Sequence, residues 1–294
     1  TLSLHDALPI SRYMEIASEE KEDAKRDAWR KHQSLKGEKP LIHLRKFAFF
    51  ELPQARLVCE DPTCKGVEYS LRRSIFQNEM KDDVMFEPWY TIRPAYTCTG
   101  WGIELQKHHS GEKGGAFKID YAIKELDDLE KLREPVHEID EEKTAERKNS
   151  FEDLMGDIIP IDIDRSPWYK GFKGDLSTHL GPFRGIENFM MDMYDNADWL
   201  KRFIKFMADG VAKTHQEAEE KGDLGLTSHQ NQSMVYAEEL EDPAPNTRGK
   251  KRSELWGYMA AQELTGISPE MHDEFMLTYQ IPILEKFGLA AYGC

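Results

Sequence analysis

The chain has 294 residues, 54 of them acidic and 39 basic, for a net charge of −15. A field of that sign repels nucleic acid and anionic membranes as general partners, although a local basic pocket stays compatible with it. Four cysteines, at positions 59, 64, 98 and 294, are too sparse for a disulfide framework and suit a reducing cytoplasm, and no signal-peptide pattern or apolar run of membrane-spanning length occurs.

The opening residues, TLSLHDALPI, match one reading frame of a common sequencing adapter. Residues 1–11 are therefore set apart as a non-native tail that packs against nothing, and 12–294 are read as one domain. Ser18 to Lys36 is a charged helix closed by Gly37, with Trp29 on its surface. Cys59 and Cys64 flank a turn; without a second pair they are read as free thiols rather than a metal site. Val67 to Met80 carries apolar residues at helical spacing. Val84 to Ile92 reads as a strand interrupted by Pro88, which puts Glu87 and Trp89 at a rim as substrate contacts. Trp101 to Gly115 reads as a loop whose neighbours His108 and His109 point opposite ways. Leu126 to Leu132 opens a helix, and the acidic run Glu138 to Glu146 is a solvated face.

From Phe151 onward helices alternate with short apolar strands. A helix ends near Gly156, and residues 158–163 form a strand leading to Asp164 and Arg165, read as a surface ion pair in preference to a substrate clamp. Residues 174–185 form a polar loop around His179. Helices over Ile186 to Tyr194 and Trp199 to Lys221 follow, and a strand at residues 223–227 opens into His229, Gln230, Asn231 and Gln232. Glu238 to Arg252 is a charged loop suited to a lid. Ser253 to Cys294 reads as two helices and the strand they feed. Ser268 caps the second, Pro269 takes its first position and Gly288 ends it, and Leu289 to Tyr292 is a buried strand delivering Gly293 and Cys294.

Helices between short apolar strands, with polar side chains at the strand ends, favour an α/β fold of the TIM-type β/α barrel over a doubly wound sheet. In such a barrel the strand-end residues share one face. His179, His229 and Cys294 then gather there, the histidines as acid–base groups and Gln230, Asn231 and Gln232 as orienting amides.

The run Ile267-Ser268-Pro269-Glu270, with Glu274-Phe275, Tyr279-Gln280-Ile281-Pro282 and Phe287-Gly288 to Tyr292-Gly293-Cys294, resembles the uroporphyrinogen decarboxylase-like superfamily. Gly185 to Phe189 and Met193 to Asn196 extend the likeness, so that it covers roughly the second half of the chain. The resemblance implies a β/α barrel, here incomplete, with its C-terminal β/α units missing beyond Cys294. It also implies either porphyrinogen decarboxylation or methyl transfer between corrinoid proteins and thiols. The transfer branch ends this strand in a His-x-Cys zinc motif. Cys294 matches the cysteine and would be a zinc ligand in a longer protein, but Tyr292 stands in the region of the histidine, so this chain alone is expected to bind no zinc and to be inactive. The decarboxylase branch needs a Met-Arg-Gln-Ala-Gly-Arg run and a Phe-Ser-Asp aspartate, and neither occurs; Phe86-Glu87-Pro88 puts proline at the aspartate. The methyltransferase branch is preferred, with a small molecule or a corrinoid protein as partner. Decarboxylation in porphyrin biosynthesis and a non-catalytic binding barrel are the alternatives.

Overall fold

The computed structural model describes residues 9–109, 111 and 117–293. In chain order the helices are α1 (Ile10–Ala17), α2 (Glu20–Gln33), α3 (Pro62–Glu79), α4 (Glu141–Met155), α5 (Leu176–Arg184), α6 (Ile186–Asp195), α7 (Ala197–Glu220), α8 (Pro269–His272) and α9 (Thr278–Leu284), the last two joined by a π turn at Asp273–Leu277. The strands are β1 (Tyr90–Ile92), β2 (Lys107–His109), β3 (Phe117–Ile119), β4 (Ile161–Ile163), β5 (Trp256–Met259) and β6 (Leu289–Tyr292). Among the described residues they form three two-stranded sheets, β1–β4 and β5–β6 parallel and β2–β3 antiparallel. Helix and strand are mixed, as expected of an α/β chain.

The described chain divides into two compact, interleaved units. The first holds the residues up to Ala95 together with Glu141–Asp164 and Ser233–Thr247. Its core joins Ile10 of α1, Val67 and Leu71 of α3, Ile92 of β1, Met155 of α4, and Ile159 and Ile161. Ile10 is fully buried, which corrects its assignment to a tail outside the fold; Leu2, Leu4 and Leu8 lie outside the described residues. Trp29 is also a core residue. Its ring is covered by Met85 and Tyr236, and its indole N–H donates to the Asp83 carbonyl at 2.6 Å.

The strand expected over Val84 to Ile92 is confined to β1. Before Pro88 the backbone is satisfied by side chains instead of a neighbouring strand: Asp82 accepts from Val84 N, Glu22 from Phe86 N, and Lys25 and Arg26 donate to the carbonyls of Val84 and Phe86. The expected lid is tethered where it belongs to this unit, through Ser34 to Glu239, Lys36 to Glu238 and Arg30 to Asp242.

The second unit holds Tyr96–Asp140, Arg165–Gln232 and the residues from Arg248. Leu200, Phe203, Ile204, Met207 and Val211 recur at helical spacing along α7 and are all fully buried. They pack with Leu180 and Phe183 of α5, Phe189 and Met193 of α6, and Ile283 of α9, each such side chain contributing about 1.5–3 kcal/mol of burial. Gly210 lets α7 approach Trp101, since a Cβ there would stand 2.7 Å from the indole.

Three readings are corrected in this unit. Residues 174–185 are not a loop but mostly α5, whose N-terminus Asp175 caps by accepting from Thr178 N. The segment before Ser268 contains β5 rather than a helix; all four of its residues are buried, and Gly257 leaves room for Phe287, which would lie 2.6 Å from a Cβ. No strand forms at residues 223–227. Ser228 N bonds to the Gly225 carbonyl and the Ser228 hydroxyl accepts from Gly225 N, which turns the chain locally.

Asp164 and Arg165 are not a surface pair. Both are buried; Asp164 accepts from Arg93 within the first unit, and Arg165 donates to Asp223 within the second. Asp223 also receives His137 Nε2 at 3.0 Å and Arg248 at 2.6 Å. Burial opposes its charge, but the bonds from His137 and Arg165 outweigh that and hold the carboxyl below its ordinary range. His108 and His109 lie on β2 rather than in the expected loop, and their side chains diverge, His108 toward Asp120 and His109 toward the Phe117 ring.

His215 of α7 is wholly enclosed. Its Nε2 lies 2.6 Å from the Tyr169 carbonyl, and burial lowers its pKa to about 4. The folded protein therefore keeps this ring neutral at a pH where an unfolded histidine, with a pKa of about 6.5, takes up a proton. Unfolding is then linked to proton uptake between about pH 6.5 and 4, so stability falls as pH drops through that window, by about 1.4 kcal/mol per unit for one site. Urea denaturation at pH 7 and pH 5 should show a smaller loss for His215→Gln than for the unaltered protein. Equal losses would show that the ring titrates normally.

Candidate functional site

In the second unit, β5 and β6 pair in register from Trp256 with Leu289 to Met259 with Tyr292, and Gly293 N continues the ladder to the Met259 carbonyl at 2.8 Å. Both strands thus end at one edge, where β5 hands on to Ala260 and Ala261 and β6 to Gly293. Parallel strands joined by helices collect their chemistry at this carboxyl edge.

A buried carboxylate organises the edge. Asp175 is fully buried. Its Oδ2 accepts from Thr178 N at 3.0 Å, the Thr178 hydroxyl at 2.8 Å and the Ser177 hydroxyl at 2.7 Å. Its Oδ1 accepts from Ala260 N at 2.8 Å and Gln280 Nε2 at 3.2 Å. Five donors on one carboxylate make it a strong hub, because hydrogen bonds to an ionised group are worth about twice the neutral kind. It fastens the N-terminus of α5 to the end of β5 and to α9. The Ser177 hydroxyl also lies 2.6 Å from Glu263 Oε2; with one proton it serves either carboxylate in turn.

Gln280 extends the network toward the surface. Its Nε2 also donates to the Ala260 carbonyl at 2.7 Å, while its Oε1 accepts from the Tyr292 hydroxyl at 2.7 Å. The Tyr292 oxygen lies 2.9 Å from His272 Nε2. Burial, reinforced by the Asp175 charge, raises the Tyr292 pKa well above the ordinary phenol value, so its proton is retained. Next to His272 and Tyr292 lies a cavity of about 300 Å³, at the small end of ligand sites.

The anticipated site residues are distributed differently. His179 lies on α5, not at a strand tip; its Nε2 faces the Lys173 carbonyl at 2.5 Å, its ring packs near Tyr169 and Trp101, and burial lowers its pKa. His229 and Gln230 meet the first residue of β5: Trp256 N donates to His229 Nδ1 at 3.2 Å, and Gln230 N to the Trp256 carbonyl. They therefore stand beside the opposite end of β5 from the Ala260–Gly293 edge. Gln230 Oε1 accepts from Gly171 N at 3.3 Å; Asn231 is half-buried and Gln232 exposed.

Glu87 and Trp89 belong to the first unit. There the Glu87 carboxylate accepts from the Tyr236 hydroxyl at 2.5 Å and from Arg26 at 3.2 Å, and burial raises its pKa. Trp89 is half-buried. Cys294, the anticipated metal ligand, lies outside the described residues. Cys59 and Cys64 are buried free thiols, and burial pushes Cys59 up to about 11, away from the thiolate form that binds metal. Among the described residues no three His, Cys, Asp or Glu side chains converge as a metal set.

Asp175, Glu263, His272 and Gln280 are functional candidates that the sequence reading passed over. Asp175 carried a signal, since Asp-Leu-Ser-Thr is a helix-capping pattern, but glycine and proline later in the segment masked the helix. Comparison with protein-family models, with curated proteins and with solved structures returns no match to this chain.

Asp175→Ala leaves Thr178 N and Ala260 N without their acceptor and removes the α5 cap. It is expected to cost about 3 kcal/mol or more in denaturant unfolding, whereas Glu263→Gln, at the half-exposed margin, should cost under about 1 kcal/mol. Similar costs for the two would show that Asp175 is not the hub.

Proposed function

We propose that this chain is a β/α enzyme of the uroporphyrinogen decarboxylase-like superfamily, nearer to the corrinoid- and thiol-linked methyltransferases than to the decarboxylases, with its pocket at the carboxyl edge of β5 and β6. The observation that carries this reading is the convergence of Asp175, Gln280, Tyr292 and His272, from three separated stretches of sequence, on the end of a parallel strand pair bridged by helices. A TIM-type barrel is the architecture the reading implies, and the parallel pairs β1–β4 and β5–β6 are its supporting units.

The choice of branch rests on sequence: the arginine-rich run and the aspartate of the decarboxylases are both missing. In the transfer branch zinc would activate an acceptor thiol, with Cys294 as a ligand. Tyr292, whose oxygen is committed to Gln280 and His272, is not a substitute for the missing histidine.

The test uses the full-length protein that carries this sequence, because the 294 residues by themselves are expected to be inactive. It is given methylcobalamin with a small thiol, with and without added zinc, and uroporphyrinogen in parallel. Demethylation of the corrinoid that depends on the thiol and fails in Cys294→Ala is the expected result. Loss of carboxyl groups from the porphyrinogen would assign the decarboxylase branch, and saturable binding without turnover of either would assign a binding role; both outcomes reject the proposal.

A further inference from the structure

The hydrogen-bond chain at the edge of β5 and β6 has a fixed polarity, and that polarity sets what the adjoining cavity can hold. Gln280 Nε2 faces two acceptors, the Ala260 carbonyl and Asp175 Oδ1, and Asp175 Oδ1 is itself receiving Ala260 N. Only the amide NH₂ satisfies that position, so the amide oxygen is the group facing Tyr292. The Tyr292 hydroxyl therefore donates to Gln280. Its single proton is spent there, so its contact with His272 must be one it accepts. The neutral His272 ring then carries its proton on Nε2 and keeps the Nδ1 lone pair for another partner.

The cavity beside this ring has a volume of about 300 Å³ and walls made mainly by Ala261, Leu264, Ile267 and Pro269, with Thr265 and Ser268 also lining it. None of the described residues lining it is Lys, Arg, Asp or Glu. A charged ligand would find no counter-charge there to offset the hydration it gives up. An uncharged ligand with an apolar body loses little, provided that its polar group is a donor that can meet an acceptor.

We propose that this cavity binds a small uncharged molecule bearing one hydroxyl or thiol, whose proton is accepted by Nδ1 of His272, with Tyr292, Gln280 and Asp175 as the positioning residues that lock the ring's tautomer. This rests on reading the β5–β6 edge as the site. It does not depend on the family or on any metal.

The experiment is nitrogen–proton correlation NMR on uniformly ¹⁵N-labelled protein at about pH 8, where an ordinary histidine is neutral. The ligand-free protein should show His272 as the Nε2–H tautomer, and Tyr292→Phe, which removes the accepting oxygen, should give a mixture. Titration with ethanethiol should then shift His272 Nδ1 together with the Leu264 and Ile267 backbone amides. Dimethyl sulfide, which has no proton to give, should leave Nδ1 unmoved. Tyr292→Phe should weaken ethanethiol binding about fivefold, the equivalent of one neutral hydrogen bond.

Gln280→Leu breaks the chain one link deeper and should give the same mixed tautomer, so the inference stays testable if Tyr292→Phe fails to fold. An Nδ1–H tautomer in the unaltered protein overturns the inference while leaving the strand-edge site in place. Shifts confined to residues away from His272, Leu264 and Ile267 overturn both, as does the absence of any response to the thiol.

Discussion

The second unit depends on one buried negative charge. Asp175 has no exposure to solvent, yet it holds α5, the end of β5 and α9 together through five donors. Taking a carboxylate out of water costs several kcal/mol, and the cost is offset only when the surrounding donors are already in place. The arrangement is consequently cooperative. The cap of α5 needs the carboxylate, and the carboxylate needs Ala260 N from the strand end and Gln280 from a helix more than a hundred residues away in sequence. Such a hub specifies one packing of these elements where an apolar contact would tolerate several.

The same logic recurs at Asp223, where a histidine and two arginines converge on one carboxylate, and at Arg184, whose guanidinium grips both oxygens of Asp192 while its other face donates to the carbonyls of Ile123 and Lys124. A chain with a large surplus of acidic residues has most of them exposed, where pairing contributes little. Those that are buried each come with a dedicated set of donors. The histidines follow a different rule: His215 and His179 are kept neutral by burial and spend one nitrogen on a backbone carbonyl. That makes them structural rings, despite being the residue type most readily read as catalytic.

Legibility in the sequence followed the range of the forces involved. The helix Ala197–Glu220 and the span of the strand Leu289–Tyr292 could be read directly, because helical periodicity and a short apolar run between turn signals are local properties. The strand is not buried as expected, since Ala290 and Tyr292 are exposed. Trp256–Met259 carries a helix-like pattern, since a strand buried on both faces shows no alternation and cannot be told from a buried helix by pattern alone. Leu176–Arg184 was hidden by Gly181 and Pro182, which break helices on average but are tolerated here beneath a strong Asp175 cap. Trp29 was placed on the surface because its own helix is otherwise charged, and its cover comes from Met85 and from Tyr236, some two hundred residues away. The candidate site was the least legible part. It consists of single polar residues from three stretches, joined only by tertiary hydrogen bonds that no local pattern announces.

One local irregularity lets the site close. His272 and Gln280 flank Tyr292 in the hydrogen-bond chain, yet they are eight residues apart on one helical run. On a regular helix eight steps of about 100° would leave them about 80° apart around the axis. The π turn at Asp273–Leu277 accommodates one extra residue in a single turn, so the two positions behave as seven steps apart, within about 20° of each other. The turn is held where the Thr278 hydroxyl donates to the Asp273 carbonyl at 2.9 Å, and Pro282, with no N–H to give, relaxes the helix just beyond Gln280. Such single π turns inside α-helices occur frequently at functional sites. Here that alignment puts a histidine and a glutamine on opposite sides of one tyrosine, and it links the cavity to the carboxylate buried beneath it.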